Sequence, residues 1–321
     1  MINLNSGDTI ISVKDMAKTF HTGKGVKKKE VKALRNVSFD LKKGRAMALV
    51  GESGSGKSTV ARLLTKMHDH CSGEVLFKGQ DISEINTRQA LVDYRKQIQM
   101  IFQDPYGSLN PAHTIYHHIA RPLLTHKHVK NHAEAKVRVN ELLEMVELDA
   151  ESTAPKFPHQ LSGGQRQRVS IARAVAVGAE VILADEPTSM LDVSIRLDVL
   201  DLLKRLKDEQ GFTFLYITHD IATARYFAEE IAIMYQGQIV EYGDTGSVID
   251  NPQHPYTKLL LSAIPNPYVS FEEATETGAE LLAKANQIRE ASFEPVSTYH
   301  QFKGNHFYGA MEKDLGDLIN L

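Results

Sequence analysis

One cysteine, Cys71, is all that the 321 residues contain. That excludes a disulfide within the chain and a cysteine-ligated metal cluster, and it suits a reducing compartment. No apolar run is long enough to cross a bilayer. Met1 to Ile11 carries no basic stretch followed by an apolar segment, so no signal peptide is expected. If the protein works at a membrane, other chains must hold it there. Acidic and basic residues nearly cancel, leaving a net charge of -3, which argues against a general nucleic-acid binder. The basic run from Lys24 to Lys32 reads as a solvated loop. No internal repeat or long biased block is present, and the 42% of hydrophobic residues is enough for one large core with an appendage, or two modest domains.

What is present begins with short, unbroken apolar stretches. Ala46 to Val50, Val181 to Ala184 and Phe214 to Ile217 read as buried parallel strands. Each runs into polar residues: the glycine-rich segment from Gly51, then Asp185-Glu186, then Thr218-His219-Asp220. Ligands in open α/β sheets gather beyond the carboxyl ends of the strands, so these three ends are expected to converge on one site. Between the first two, the region from about Ser83 to Pro158 reads as a mostly helical insertion, with Val137, Leu142, Leu143 and Val146 near helical spacing. Val193 to Glu209 predicts an amphipathic helix with Leu197, Leu200, Leu203 and Leu206 on one face. Ile231 to Tyr235 and Ile239 to Tyr242 predict a hairpin around Gln236-Gly237-Gln238. Past Asn251, prolines at 252, 255, 265 and 267 bracket a short helix over Tyr256 to Ile264, and a tail follows with one helix expected over Phe271 to Glu290.

The segment Gly51 to Ser58 fits G-x-x-x-x-G-K-[ST], a phosphate-binding loop. Gly51, Ser53, Gly54, Ser55 and Gly56 let backbone N–H groups wrap phosphates, and Thr59 follows in the helix that the loop opens. Lys57 is placed to reach the β and γ phosphates, and the Ser58 hydroxyl to ligate Mg²⁺. Asp185, ending an apolar strand, stands where a carboxylate would position the metal's shell. About a hundred positions past the loop comes Leu161-Ser162-Gly163-Gly164-Gln165. It precedes a helical stretch, so Ser162, Gly163, Gly164 and Gln165 offer a hydroxyl and N–H groups at a positive helix end. The histidines at 113, 117, 118, 126, 128 and 132 repeat no ligand spacing and are read as exposed residues of the insertion.

The phosphate loop, LSGGQ and Asp185-Glu186 in this order resemble the nucleotide-binding subunit of an ATP-binding cassette (ABC) transporter, over roughly residues 10 to 265. The resemblance implies an α/β P-loop NTPase fold with a RecA-like core, an antiparallel β subdomain, a helical insertion at about 83–158 and a C-terminal extension. The nucleotide-binding domain would take residues 1–250 and the extension 251–321. ATP and Mg²⁺ would be bound. Glu186 would polarise the attacking water, Gln103 would touch the metal and link nucleotide to insertion, and His219 would contact the γ phosphate. Phe20 stands at the adenine-stacking position, where tyrosine is usual. LSGGQ would close over the ATP of a second ATPase in a head-to-tail dimer, with Asp192 in the loop that crosses between subunits and Met190 replacing the more common alanine there.

Two further segments are similar to the oligopeptide/dipeptide importer ATPases: Phe102 to Pro111, and Asn251 to Leu260 with Ile264 to Pro267. The cysteines that many members carry for an iron–sulfur cluster are absent. The similarity implies two permease subunits, a second, usually different, ATPase, and an extracytoplasmic solute-binding protein acting through the permeases, with no nucleic acid. It places the chain peripherally on the cytoplasmic face of the inner membrane. Peptides, nickel chelates or oligosaccharides are the solutes of such systems. The other class of reading is a soluble ABC ATPase acting on nucleic acid or ribosomes. It lacks the long coiled-coil insertion or second cassette such proteins show.

Overall fold

The computed structural model describes residues 8–22, 29–262 and 278–310. Most of the basic run from Lys24, together with Pro265, Pro267 and the start of the helix expected from Phe271, lies outside them.

Two long strands, β1 (Thr9–Thr22) and β2 (Lys29–Lys42), pair antiparallel before the chain reaches β3 (Ala46–Val50) and α1 (Lys57–Leu64). Then come β4 (Ser72–Phe77), β5 (Gln80–Asp81), α2 (Arg88–Gln97) and β6 (Ile98–Ile101). The insertion follows as α3 (Pro105–Ser108), α4 (Ile115–Thr125), α5 (His132–Met145), α6 (Ala150–Thr153) and α7 (Gly163–Val175). The core resumes with β7 (Val181–Asp185), α8 (Val193–Gln210), β8 (Thr213–Thr218), α9 (Ile221–Phe227), β9 (Glu230–Tyr235) and β10 (Gln238–Asp244). After it stand α10 (Thr245–Asp250), α11 (Pro255–Ser262), α12 (Gly278–Ala291), β11 (Tyr299–Lys303) and β12 (His306–Gly309).

The strands form two sheets. One is antiparallel, β2-β1-β4-β5; the other runs β11-β12-β10-β9-β3-β8-β7-β6, with β6, β7, β8, β3 and β9 parallel. Alternation along the central strands sends side chains to two cores. Met47, Leu49, Leu183, Leu215 and Ile217 pack under the antiparallel sheet with α1, while Ala48, Ile182, Ala184, Phe214 and Tyr216 face the helices of the insertion and α8. Strands buried on both faces explain why these segments are apolar without interruption.

Four local expectations are corrected. The mostly helical insertion starts later than about Ser83, because β6 within that span is the edge strand of the large sheet, and the helices of the insertion begin after Gln103. Val137 and Leu197 are solvent-exposed, while Leu142, Leu143, Val146, Leu200, Leu203 and Leu206 are buried. The hairpin turn holds two residues, since Tyr235 pairs directly with Gln238. Gln236 and Gly237 both have positive φ, 47° and 83°, the pattern of a type I′ turn. Lastly, the tail is more than a helix. β12 pairs with β10 through Glu241↔Tyr308 and Tyr242↔Phe307, and β11 pairs with β12, so residues after 298 extend the large sheet.

Candidate active site

β3 delivers the phosphate loop at its carboxyl end. Gly51 has no room for a side chain, since a Cβ there would lie 2.1 Å from the Met234 carbonyl oxygen on neighbouring β9. Gly56 caps α1 with φ of 108°, a left-handed value that favours glycine, and from Lys57 the chain is helical. Lys57 is buried, its Nζ donating to the carbonyl oxygens of Gly51 at 2.6 Å and Glu52 at 2.9 Å. Burial pushes its pKa down, while the charges of Glu186, Asp185 and Glu52 push it back up. The Ser55 hydroxyl is buried with no hydrogen-bond partner among the described residues. A glycine-rich turn opening a helix, one buried cation and an orphaned hydroxyl fit a phosphate chain.

The parallel strands beside β3 supply the other parts. Ser58 Oγ donates to Asp185 Oδ1 at 3.0 Å, joining the start of α1 to the end of β7. Burial raises the Asp185 pKa, opposed by the hydrogen bond from Ser58 and reinforced by the Glu186 charge. Paired oxygens of this kind are the donor set that Mg²⁺ takes. Glu186 sits just past β7 with φ of 45°. Its carboxylate is shared between strand ends: Gln103 Nε2, past β6, donates to Oε2 at 3.0 Å, and His219 Nδ1, past β8, lies 3.3 Å from Oε1. Four consecutive strand ends therefore meet in one cleft, of about 730 Å³, lined by the phosphate loop, Thr59, Gln103, Glu186 and His219.

The signature lies elsewhere. Ser162 caps α7 in a reciprocal box, its Oγ accepting from Gln165 N–H at 3.2 Å while Gln165 Oε1 accepts from Ser162 N–H at 3.0 Å. None of Ser162, Gly163, Gly164 and Gln165 lines the cleft, nor does Asp192 at the start of α8. Around them Met190, Val193 and Leu197 are exposed apolar side chains. Phe20 is also outside the lining. It pairs across β1 and β2 with Val31, which does line the cleft, and its ring meets His68 edge-on at 5.5 Å. Unforeseen cleft residues are Val31 to Ala33, Glu52, Gln236, Gly237 and Leu260. The Gln236-Gly237 turn was the one available signal.

A second cavity, of about 590 Å³, opens between α2, β6, α4 and α7. Arg95, Arg121, Arg173, His113 and His117 line it, and no carboxylate does. His113 and His117 stack at 4.1 Å, and among the described residues no group of three or more potential ligands is arranged to hold a metal. His118 is buried rather than exposed as expected. Burial first, then neighbouring charged groups, depresses the pKa values of His117, His126 and His128, and burial also depresses that of His118 against the opposing hydrogen bond to the Asn110 carbonyl.

The "ABC transporter" family model matches residues 34–189, and that of "Oligopeptide/dipeptide transporter, C-terminal region" matches 240–287. The oligopeptide transport ATP-binding protein OppF of Bacillus subtilis is 46% identical over 265 residues, 83% of this chain and 85% of its own. OppF of Streptococcus pyogenes serotype M1 is 38% identical over 308 residues, 96% and 97% of the two chains. Among solved structures, the dimeric ATP-binding cassette MJ0796 bound to ADP and Pi superposes with a TM-score of 0.66 at 33% identity, over 73% of this chain and 98% of that one. With its cleft, its signature and its C-terminal region thus matched along most of its length, the chain belongs to the ATP-binding subunits of ABC transporters, in the oligopeptide/dipeptide branch.

Proposed function

We propose that the chain hydrolyses ATP to energise an importer of oligopeptides or dipeptides, working beneath two permeases and beside a second ATPase. One observation carries the reading: Lys57, Ser58, Gln103, Glu186 and His219 meet in a single cleft, with Asp185 bonded to Ser58 behind it, while Ser162 to Gln165 stay out of it. A site that lacks its signature within one chain needs another chain to complete it. The exposed Met190, Val193 and Leu197 give that partner an apolar footing. Asp192 and Phe20 keep their proposed roles at the subunit crossing and beside the adenine.

Within the cleft, loop N–H groups and Lys57 hold the phosphates, and Lys57 exchanges its two carbonyl partners for them. Ser58, Asp185 and Gln103 would hold Mg²⁺, which supplies charge neutralisation at the phosphate oxygens. Glu186 orients the attacking water and accepts its proton at the carboxylate, held in place by Gln103 and His219. Closure of the dimer brings the partner's signature over the ATP and excludes bulk water. Gln103 joins the cleft to the insertion, so closure can be passed to a permease seated in the cation-lined cavity, a lining that favours an acidic docking segment.

No helix among the described residues is long and apolar enough to cross a membrane, so attachment to the cytoplasmic face rests on the permeases. The division proposed is a nucleotide-binding domain to about residue 250 with an extension built onto its sheet. Purification from gently solubilised membranes tests the assignment. Recovery with two permeases and a second ATPase is expected, and the linked extracytoplasmic binding protein can then be screened for cargo among peptides, oligosaccharides and nickel chelates. Recovery only from the soluble fraction, with ribosomal or DNA-associated partners, would overturn the transport reading.

A further inference from the structure

The residues beyond the cassette reach back to the phosphate loop. Glu52 is the second residue of that loop and lines the cleft, and its charge acts on Lys57, the cation of the phosphate loop. Arg289, near the end of α12, places Nη2 2.9 Å from Glu52 Oε1. The Arg289 carbonyl accepts from Tyr235 Oη at 3.1 Å, and the Tyr235 ring packs at 4.3 Å on Tyr256 of α11. Tyr256 Oη in turn accepts the Glu52 N–H at 3.4 Å. Glu52 is thereby held at side chain and backbone by two elements of the extension. The end of α12 is itself fixed: Gln238 Nε2 donates to the carbonyls of Ser292 at 3.1 Å and Glu294 at 2.8 Å, and Arg35 Nη1 donates to that of Phe293 at 3.1 Å.

We propose that Arg289 is a positioning residue of the ATP site, cancelling the Glu52 charge and steadying the loop for the incoming triphosphate, so that the C-terminal extension sets nucleotide affinity. The proposal rests on the cleft being the ATP site. Left without Arg289, the Glu52 carboxylate repels the phosphates and competes for Lys57, whose charge it already feels. A half-exposed ion pair with no such role would add slightly to stability and nothing to ligand binding.

ATP titration of the full chain, wild type and variants, distinguishes the two. Arg289→Ala is expected to raise the Kd for Mg–ATP about two- to five-fold at low ionic strength, with the deficit shrinking as salt is added and kcat unchanged. Arg289→Lys should restore most of the affinity. In a Glu52→Gln background, Arg289→Ala should cost almost nothing, because no charge remains to cancel. Both side chains are close to 40% exposed, at 38% and 39%, so neither replacement opens a cavity. An equal loss in both backgrounds, or a fall in Tm with unchanged ATP affinity, overturns the proposal. Lys57→Ala run alongside should weaken binding severely. If it does not, the reading of the cleft fails and takes this proposal with it, whereas failure at Arg289 alone leaves the cleft intact.

Discussion

Replacing Gly51 with alanine should cripple the enzyme without unfolding it. The added Cβ would sit 2.1 Å from the Met234 carbonyl oxygen and 2.9 Å from Ser55 Oγ. Relieving the first contact to the 3.4 Å of ordinary van der Waals approach demands a shift of about 1.3 Å. Met234 cannot supply it, because its strand is paired to β3 on one side and to β10 on the other. The loop must give instead, carrying with it the Gly51 carbonyl that holds Lys57. Misplacement of reacting groups by about 1 Å costs on the order of 10²-fold in rate, equivalent to roughly 2.7 kcal/mol of transition-state stabilisation. Steady-state ATP hydrolysis should therefore show kcat/KM about 100-fold down, with far-ultraviolet circular dichroism unchanged. Gly79→Ala is the control. Nothing lies within 4 Å of a Cβ there and φ is +79°, so it strains a remote turn by about 1–2 kcal/mol and leaves turnover alone. Wild-type hydrolysis in Gly51→Ala would refute the claim that close approach to β9 dictates glycine at this position.

Glu186→Gln should bind ATP normally and lose about 10²- to 10⁴-fold in turnover, the usual worth of a general base; undiminished hydrolysis removes Glu186 from its role. His254 is buried, and burial depresses its pKa to about 4. The unfolded chain takes up the proton near pH 6.5 and the folded one only near 4, so stability should fall between those values, by roughly 3 kcal/mol from this residue. Urea unfolding from pH 7 to 4 should show a shallower loss in His254→Asn, and identical slopes would contradict the assignment. Leu203→Ala, in the core, should cost about 2–5 kcal/mol of stability, and Leu197→Ala, on the exposed face, under about 0.5. Equal costs in chemical denaturation would mean the helix is oriented otherwise.

Much of the cleft was legible because its parts are local signals. Each of β3, β7 and β8 is a short apolar run ending in residues whose chemistry is specific, and the parallel topology brings those ends together. Their convergence had to be inferred, and the sheet order β3-β8-β7-β6 is what achieves it. Long-range pairing was the illegible part. β6 is only four residues, Ile98 to Ile101, directly after a helix, and has the look of helix continuation. β11 reads Tyr-His-Gln-Phe-Lys, with four of its five residues exposed, and its hairpin partner pairs with residues more than sixty positions earlier. No local periodicity can announce such a strand. The I′ turn was misjudged because Gln236, not asparagine or aspartate, takes the first positive φ. Arg289 could not have been connected with Glu52 at all, since 237 residues separate them.

The docking of β12 on β10 also bears on how the chain is made. Glu241, wholly buried on β10, accepts hydrogen bonds from the backbone N–H groups of Gln253 and His254 and lies 2.6 Å from His306 Nε2 on β12. On the ribosome, β10 emerges more than sixty residues before the strand that covers it, so the large sheet waits with a bare edge and a half-satisfied carboxylate until that strand has been made. A nascent chain in that condition invites pairing with its neighbours. The same holds for any protein cut short after residue 267. Such a truncation removes a wall of the main sheet, and its first symptom would be insolubility, ahead of any defect in transport.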